Sequence, residues 1–463
     1  MPLQSRRDFL HLAAASAAGF TGLGRLFTAA RAADAPAPGL FTDRFGPLLP
    51  DPQGLLDLPH GFAYRVLSRM GDPMADGLFV PGKPDGMAAF EGPDGLTILV
   101  RNHEVDMGDE KSGPFGPRHE RLNAIDRAKI YDPGAAGKPA PGGTSTLVYD
   151  TRDQRVLRQF MSSAGHCRNC AGGATPWGSW LTCEETVVRA GEEGAARNHG
   201  YVFEVPATAD IRLADPTPIR AMGRFNHEAV CIDPRTGVVY LTEDRGDGLL
   251  YRFIPRTPGR LQEAGRLEAL ALRDAPGFDT RNWDQPDFPV GEERPVAWIP
   301  LDEVDAETDD LRDRGHAAGA ARFARGEGIH WAHDSVYAVC TSGGRDRRGQ
   351  VWRYLPSPNE GTPAEADAPG RLALFVEPND RDLINMPDNI AVAPWGDLVV
   401  CEDNGDEQRL VAITPEGRLY HLARNARMNS EFAGACFSPD GTTMFVNIQH
   451  TGLTLAVTGP WRA

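Results

Sequence analysis

An all-β architecture, a six-bladed propeller with loop insertions on one face, is what this chain of 463 residues spells out. Six segments share one form: polar head, apolar run, turn, apolar run, polar end. They read DGMAAFEGPDGLTILVRNHE from Asp85, CAGGATPWGSWLTCEE from Cys170, EAVCIDPRTGVVYLTED from Glu228, EGIHWAHDSVYAVCTSGG from Glu327, DNIAVAPWGDLVVCEDNG from Asp388 and EFAGACFSPDGTTMFVNIQH from Glu431. Self-similarity of this kind is the signature of a repeat architecture, and short Val/Ile/Leu/Tyr runs split by Pro-Asp-Gly or Pro-Trp-Gly turns are hairpins. Antiparallel hairpins arranged radially make the blades of a propeller.

Taken in order, residues 1–32 form a leader. Ser5-Arg6-Arg7-Asp8-Phe9-Leu10 is a twin-arginine motif, followed by an Ala/Gly-rich stretch and a small-residue site at Ala30-Arg31-Ala32. Export by that machinery is the expectation, with a periplasmic or extracellular mature protein. Residues 33–61 are a lead segment, and 62–463 the propeller domain. Third strands are expected at Leu249–Ile254, Gln350–Tyr354 and Leu410–Thr414, and residues 105–142 and 257–323 as rim loops or lids, rich in Pro, Gly, Asp and Arg. Only 33 residues remain from Glu431 onward, too few for a four-stranded blade, so the run Ala63–Ser68 is expected to supply the missing outer strand and close the ring.

Composition narrows the function. The net charge is −16, and removal of residues 1–32, with four Arg and one Asp, brings it to −19. That balance, with no basic stripe, argues against a nucleic-acid partner and suits a cation-binding protein. No stretch reaches the ~18–20 apolar residues of a membrane span, so no membrane contact is expected of the mature form, and monomer is the default. No G-x-S-x-G elbow or Walker loop is present.

If the apolar runs opening the six segments are innermost strands, Asp85, Cys170, Glu228, Glu327, Asp388 and Glu431 crowd one mouth of the channel. Carboxylates in that number repel one another unless cations lie between them. Oxygen donors suit calcium, and a thiolate among them suits a redox-active metal such as iron. Cys170 is open to two readings, a metal ligand by its register or half of a C-x2-C pair with Cys167. The other five of the seven cysteines sit in apolar runs as packing residues. Glu184-Glu185, Glu104, Glu243-Asp244 and Glu402-Asp403 end second strands, a recurrence that a solvated surface would not produce. Arg325, two residues before Glu327, is read either as a guanidinium for an anion held on metals or as an ion pair neutralising the acids. His103, His166, His227, His330 and His333 are read as structural. Among the six heads, Asp388 and Glu431 are held as possible ligands and Asp85 as structural.

The leader, Asn169 to Glu185 (NCAGGATPWGSWLTCEE), Arg325-Gly-Glu-Gly328 and Met386-Pro-Asp-Asn389 together resemble the PhoX-type alkaline phosphatases over nearly the whole mature chain. The resemblance implies a six-bladed propeller with an iron and calcium cluster (Fe3+ and Ca2+) that hydrolyses small-molecule phosphomonoesters. It implies Cys170 as an iron ligand, Glu185 as a calcium ligand, Glu327 at the cluster and Arg325 on the phosphate. Glu228 is matched by register, with Glu243 competing for its place. Two other functions use the same acidic channel: a calcium-dependent lactonase or arylesterase, and a non-catalytic metal-stabilised envelope scaffold.

Overall fold

Six antiparallel blades stand around a channel in the computed structural model, which describes residues 39–426 and 430–461. The expected leader lies outside the described residues. Innermost strands Pro84–Glu91, Asn169–Ala174, His227–Ile232, Gly326–Ala332, Pro387–Val392 and Phe432–Phe437 touch in cyclic order, the last returning to the first. They open blades one to six. Second strands Thr97–His103, Ser179–Glu184, Val239–Glu243, Ser335–Cys340, Leu398–Glu402 and Thr443–Ile448 pair antiparallel with them. Third strands fall at Leu250–Pro255, Gln350–Leu355 and Arg409–Ile413, where the apolar runs place them.

The ring closes through the chain's early part. Ala63–Arg69 pairs with Leu453–Thr458 as the outer strand of blade six, so the last blade joins residues from both ends of the propeller. The lead segment is also woven in: Leu56–Pro59 pairs with Leu419–Asn425 of blade five, and Leu48–Leu49 pairs outside it. Phe45, Phe62, Trp395, Phe437 and Trp461 seal this seam edge to face.

Residues 257–323 are more ordered than rim loops. Gly265–Leu272 is the fourth strand of blade three, and Glu293–Pro300 pairs with both that strand and Arg371–Val376, fusing blades three and four into one nine-stranded sheet. The charged residues that hid this strand are internally paired. Arg252 of the neighbouring strand, itself buried, takes Glu268 and Glu360, and the exposed Arg266 takes the other oxygen of Glu268. Residues 105–141 carry only short 3-10 turns, in keeping with a rim loop. No helix of the described residues is long and apolar enough to cross a membrane.

Candidate active site

Every innermost strand breaks its ladder at the same point. The register slips between Pro84 and Met87, Asn169 and Gly172, His227 and Val230, Gly326 and Ile329, Pro387 and Ile390, and Ala433 and Cys436. In each case three steps on the inner strand oppose two on its partner. A bulge bends a strand and re-aims its side chains, and here it turns one residue per blade toward the channel. Those residues are Asp85, Cys170, Glu228, Glu327, Asp388 and, in the sixth blade, Gly434. The sixth position is therefore not Glu431, as the repeat pattern suggests. Glu431 precedes its strand and enters the same cavity from the turn. Gly434 holds φ +62°, and a Cβ there would lie 2.3 Å from the Asp85 carbonyl, so close approach of blades six and one demands glycine.

Bulges leave backbone groups without ladder partners, and the neighbouring blade supplies them. Asn447 donates to the Asp85 carbonyl at 2.5 Å, Asn102 to Ala171 at 2.7 Å, Thr242 to Glu327 at 2.5 Å and Thr341 to Pro387 at 2.7 Å, while Asn389 accepts from the Gly434 N–H at 2.6 Å. Five of the six inner strands are thereby fixed by a neighbouring blade.

Period-two alternation at the ends of the second strands sorts the paired acids. Glu184, Glu243 and Glu402 turn into their blades. Glu184 accepts from His199 and the Gly200 N–H, Glu243 from Tyr251 and the Leu249 N–H, and Glu402 from Arg409 and the Asn385 N–H. The next residues, Glu185, Asp244 and Asp403, face the cavity, as does Glu104 after the inward-turned His103.

The cavity, about 130 Å³, is lined by Asp85, Glu104, Glu185, Glu228, Asp244, Glu327, Asp388, Asp403 and Glu431, with Cys170, Arg168, Arg325 and Gln449. A larger groove of about 520 Å³ lies elsewhere, beside Ile211, Leu213 and the Lys129–Asp215 pair; unlike the channel cavity, it gathers no cluster of metal-binding donors among the described residues. Four overlapping sets, Cys170/Glu185/Glu228, Glu228/Glu327/Asp388, Asp388/Asp403/Glu431 and Asp85/Glu104/Glu431, each bring one donor atom per residue within 4.8 Å of one another.

Electrostatics define what this cavity lacks by itself. Burial, then Asp403, pushes Asp388 up to about 8; burial, with Glu104 and Asp244 adding and Arg168 opposing, pushes Glu185 up to about 8. Glu228, Glu327, Asp85 and Glu431 lie well above the usual carboxylate range, chiefly through burial and then through the charge of Asp388, Asp244, Glu104 and Asp403 respectively. Burial, then Glu228 and Glu185, pushes the Cys170 thiol up as well. Protons or cations must neutralise this set.

Two guanidiniums answer part of that charge. Arg325 grips Asp244 with Nε and Nη2, both at 2.8 Å, and reaches Glu327 at 2.9 Å; Glu327 foremost holds it far above its ordinary range. Arg168 pairs with Glu185 and lies 3.3 Å from Glu104.

Of the residues singled out in the sequence, Cys170, Glu185, Glu228, Glu327, Asp388, Glu431 and Arg325 all line the cavity, and Glu243 does not. Glu243 is buried against Tyr251 and 3.7 Å from Arg312, which leaves Glu228 in the position the two compete for. Asp85, read as structural, lines the cavity too and accepts from Gln449 at 2.7 Å. Cys167 and Cys170 are both free, with only Cys170 on the cavity. His103, His166, His199 and His227 are buried and lie off the cavity lining.

Arg168 escaped the sequence reading, although register signals it: it stands two residues before Cys170 as Arg325 stands before Glu327. Both hold left-handed backbone, φ 51° and 56°, and each carbonyl accepts from the N–H closing the second strand, Glu185 at 2.9 Å and Thr341 at 3.0 Å.

The chain resembles Pseudomonas fluorescens PhoX, solved in complex with vanadate, a transition state analogue, with a TM-score of 0.66 and 18% identity over 91% of this chain and 98% of that one. A gluconolactonase from Xanthomonas campestris follows with a TM-score of 0.39 and 13% identity over 90% and 98% of the two chains. No curated protein matches. The family described as alkaline phosphatase PhoX matches over residues 43–155 and 120–452. With that match covering nearly all of the propeller and every cavity residue, the chain belongs to the PhoX alkaline phosphatase family.

Proposed function

We propose that this chain is an exported, metal-dependent phosphatase that hydrolyses phosphate monoesters in the channel cavity. One observation carries the reading: in a chain of the PhoX family, Cys170, nine carboxylates and Arg325 converge on a single cavity of about 130 Å³. The donor set fits the metals that the family implies. Cys170, Glu185 and Glu228 offer a thiol beside two oxygens, which suits iron; Asp388/Asp403/Glu431 and Asp85/Glu104/Glu431 are all-oxygen sets, which suit calcium. Carboxylates raised as far as these gain most from cations, because binding removes both their mutual repulsion and their unmet desolvation. When bound, such cations supply Lewis-acid polarisation of a phosphoryl oxygen and acidify coordinated water.

The chain's own residues do the rest. Asp244 and Glu327 hold the Arg325 fork in one orientation, so its remaining donor capacity meets phosphoryl oxygens with little reorganisation. Bulge-fixed inner strands keep Cys170, Glu228, Glu327 and Asp388 in register while substrate charge changes. Burial of the walls keeps the local dielectric low, which strengthens each of these interactions. Vanadate in the Pseudomonas protein, a mimic of the phosphoryl transition state, supports the same chemistry here. The twin-arginine motif and small-residue site within residues 1–32 support delivery to the periplasm or beyond.

The test is a substrate panel. Purified protein is assayed with p-nitrophenyl phosphate, a phosphodiester and a lactone, before and after chelation and with calcium restored. Monoester turnover that chelation abolishes and calcium returns is the expected result. Lactone turnover without phosphatase activity contradicts the proposal.

A further inference from the structure

We propose that Arg168 is a second phosphate-binding guanidinium, paired with Arg325 as a two-arginine clamp on one side of the cavity mouth. This inference rests on the phosphatase reading and deepens it.

The repeat register supplies the first argument. The position two residues before the bulged side chain is Lys83, Arg168, Asn226, Arg325 and Met386 in blades one to five. Lys83, Arg168, Arg325 and Met386 all hold left-handed backbone there, with φ 42°, 51°, 56° and 53°. Non-glycine residues rarely adopt that conformation, and its recurrence gives these side chains a shared starting point at the mouth. Of them, only Arg168 and Arg325 line the cavity.

Connection between the two is the second argument. Arg168 pairs with Glu185 through one carboxylate oxygen. The other oxygen of Glu185 accepts from Asn226 Nδ2 at 3.0 Å, and the same amide donates to the Asp244 carbonyl at 3.2 Å. The Asp244 carboxylate in turn holds Arg325. The result is an unbroken chain, Arg168–Glu185–Asn226–Asp244–Arg325, across blades two, three and four. A buried Asn226 is the rigid spacer at its centre.

Remaining capacity is the third. The side chains of Arg168 and Arg325 are 38% and 31% exposed, and their hydrogen bonds to carboxylates run through Nη2 and, in Arg325, Nε, which leaves Nη1 of each for an anion. A guanidinium carries five donors, and a phosphoryl group presents several non-bridging oxygens for two planar forks to meet. Cys170, Glu228 and Glu327, which would hold cations, line the same cavity as the two guanidiniums.

Steady-state kinetics on wild type, Arg168→Gln and Arg168→Lys test the clamp, using p-nitrophenyl phosphate as substrate, inorganic phosphate and vanadate as inhibitors, and elemental analysis for metal content. Arg168→Gln is expected to keep the wild-type metal complement while KM and both inhibition constants rise at least tenfold. Arg168→Lys should recover part of that loss, since charge returns without the fork; if the Gln variant does not fold, a rise of both inhibition constants in Arg168→Lys at full metal content supports the clamp, and unchanged constants contradict it. Constants within twofold of wild type in Arg168→Gln, or a rise only alongside lost metal, overturn the inference and leave Arg168 a neutraliser of acids. An inactive wild type overturns the phosphatase reading and this inference together, whereas an active wild type beside an unaffected Arg168→Gln overturns this one alone.

Discussion

In the proposed mechanism one side chain, Arg325, serves two purposes at different moments. Without substrate it is an ion pair for Asp244 and Glu327; its bidentate geometry also fixes a planar fork at the cavity. Arg325→Ala is expected to lower turnover at least about 100-fold, on the order of 3 kcal/mol of transition-state stabilisation, with metal content retained. Elemental analysis alongside kinetics checks it, and normal turnover would remove Arg325 from the mechanism. Among the described residues Cys170 is the only sulfur on the cavity wall, and its thiol ionises there only if a cation compensates burial and the charge of Glu228.

At the level of the strand, the repeated bulge is the device that makes the site. Gly434→Ala places a methyl carbon against the Asp85 carbonyl in a left-handed conformation; a loss of about 1–3 kcal/mol in chemical denaturation is expected, with no loss if the account of this contact is wrong. Behind the Glu184–Glu185 strand end lies a buried imidazolium. His199 donates to Glu184 at 2.7 Å and to Asp132 at 3.0 Å. Burial opposes its charge, yet Glu184 and Asp132 raise it to about 9. A raised pKa gives stability that is complete below the unfolded value of about 6.5 and is lost as pH rises through about 9. His199→Gln should therefore be destabilised most at pH 6, with the deficit relative to wild type shrinking toward pH 9; a deficit independent of pH would contradict the charged state.

Much of this was legible in the chain. Five of six bulged positions stand out as polar heads because a carboxylate or thiol before an apolar run has no packing role. The sixth does not, because Gly434 sits inside the run and Glu431 imitates a head. Second-strand acids were visible as pairs, but which member faces the channel depends on ladder register, which pairs of identical charge do not reveal. The strand Gly265–Leu272 was hidden by charges that only the fold shows to be paired. Arg168 carries no signal beyond its register, two residues before Cys170 as Arg325 stands before Glu327.

For the molecule as a whole, closure and charge are coupled. Six blades force nine carboxylates into one small cavity, and the ring is held by strands from distant parts of the chain, Ala63–Arg69 with Leu453–Thr458. Metal-free protein should consequently be pH-sensitive in an unusual sense. Carboxylates raised to about 8, such as Asp388 and Glu185, cost nothing below about pH 4, where the unfolded chain is protonated too, and the penalty grows from there to about pH 8 because the unfolded chain ionises them and the fold does not. The thermal midpoint of chelated protein is expected to fall over that range, and calcium should restore it most at the alkaline end. A flat profile would mean that the cavity acids are not a source of strain.

The central claim is that Cys170 and the channel carboxylates hold the metals on which phosphate-monoester hydrolysis depends. Elemental analysis of purified wild type and Cys170→Ala, each assayed in parallel with p-nitrophenyl phosphate, tests it most directly. The account predicts iron and calcium in the active wild type, and loss of iron together with activity in the variant. A variant that keeps full activity, or an active wild type that carries no metal, would contradict it.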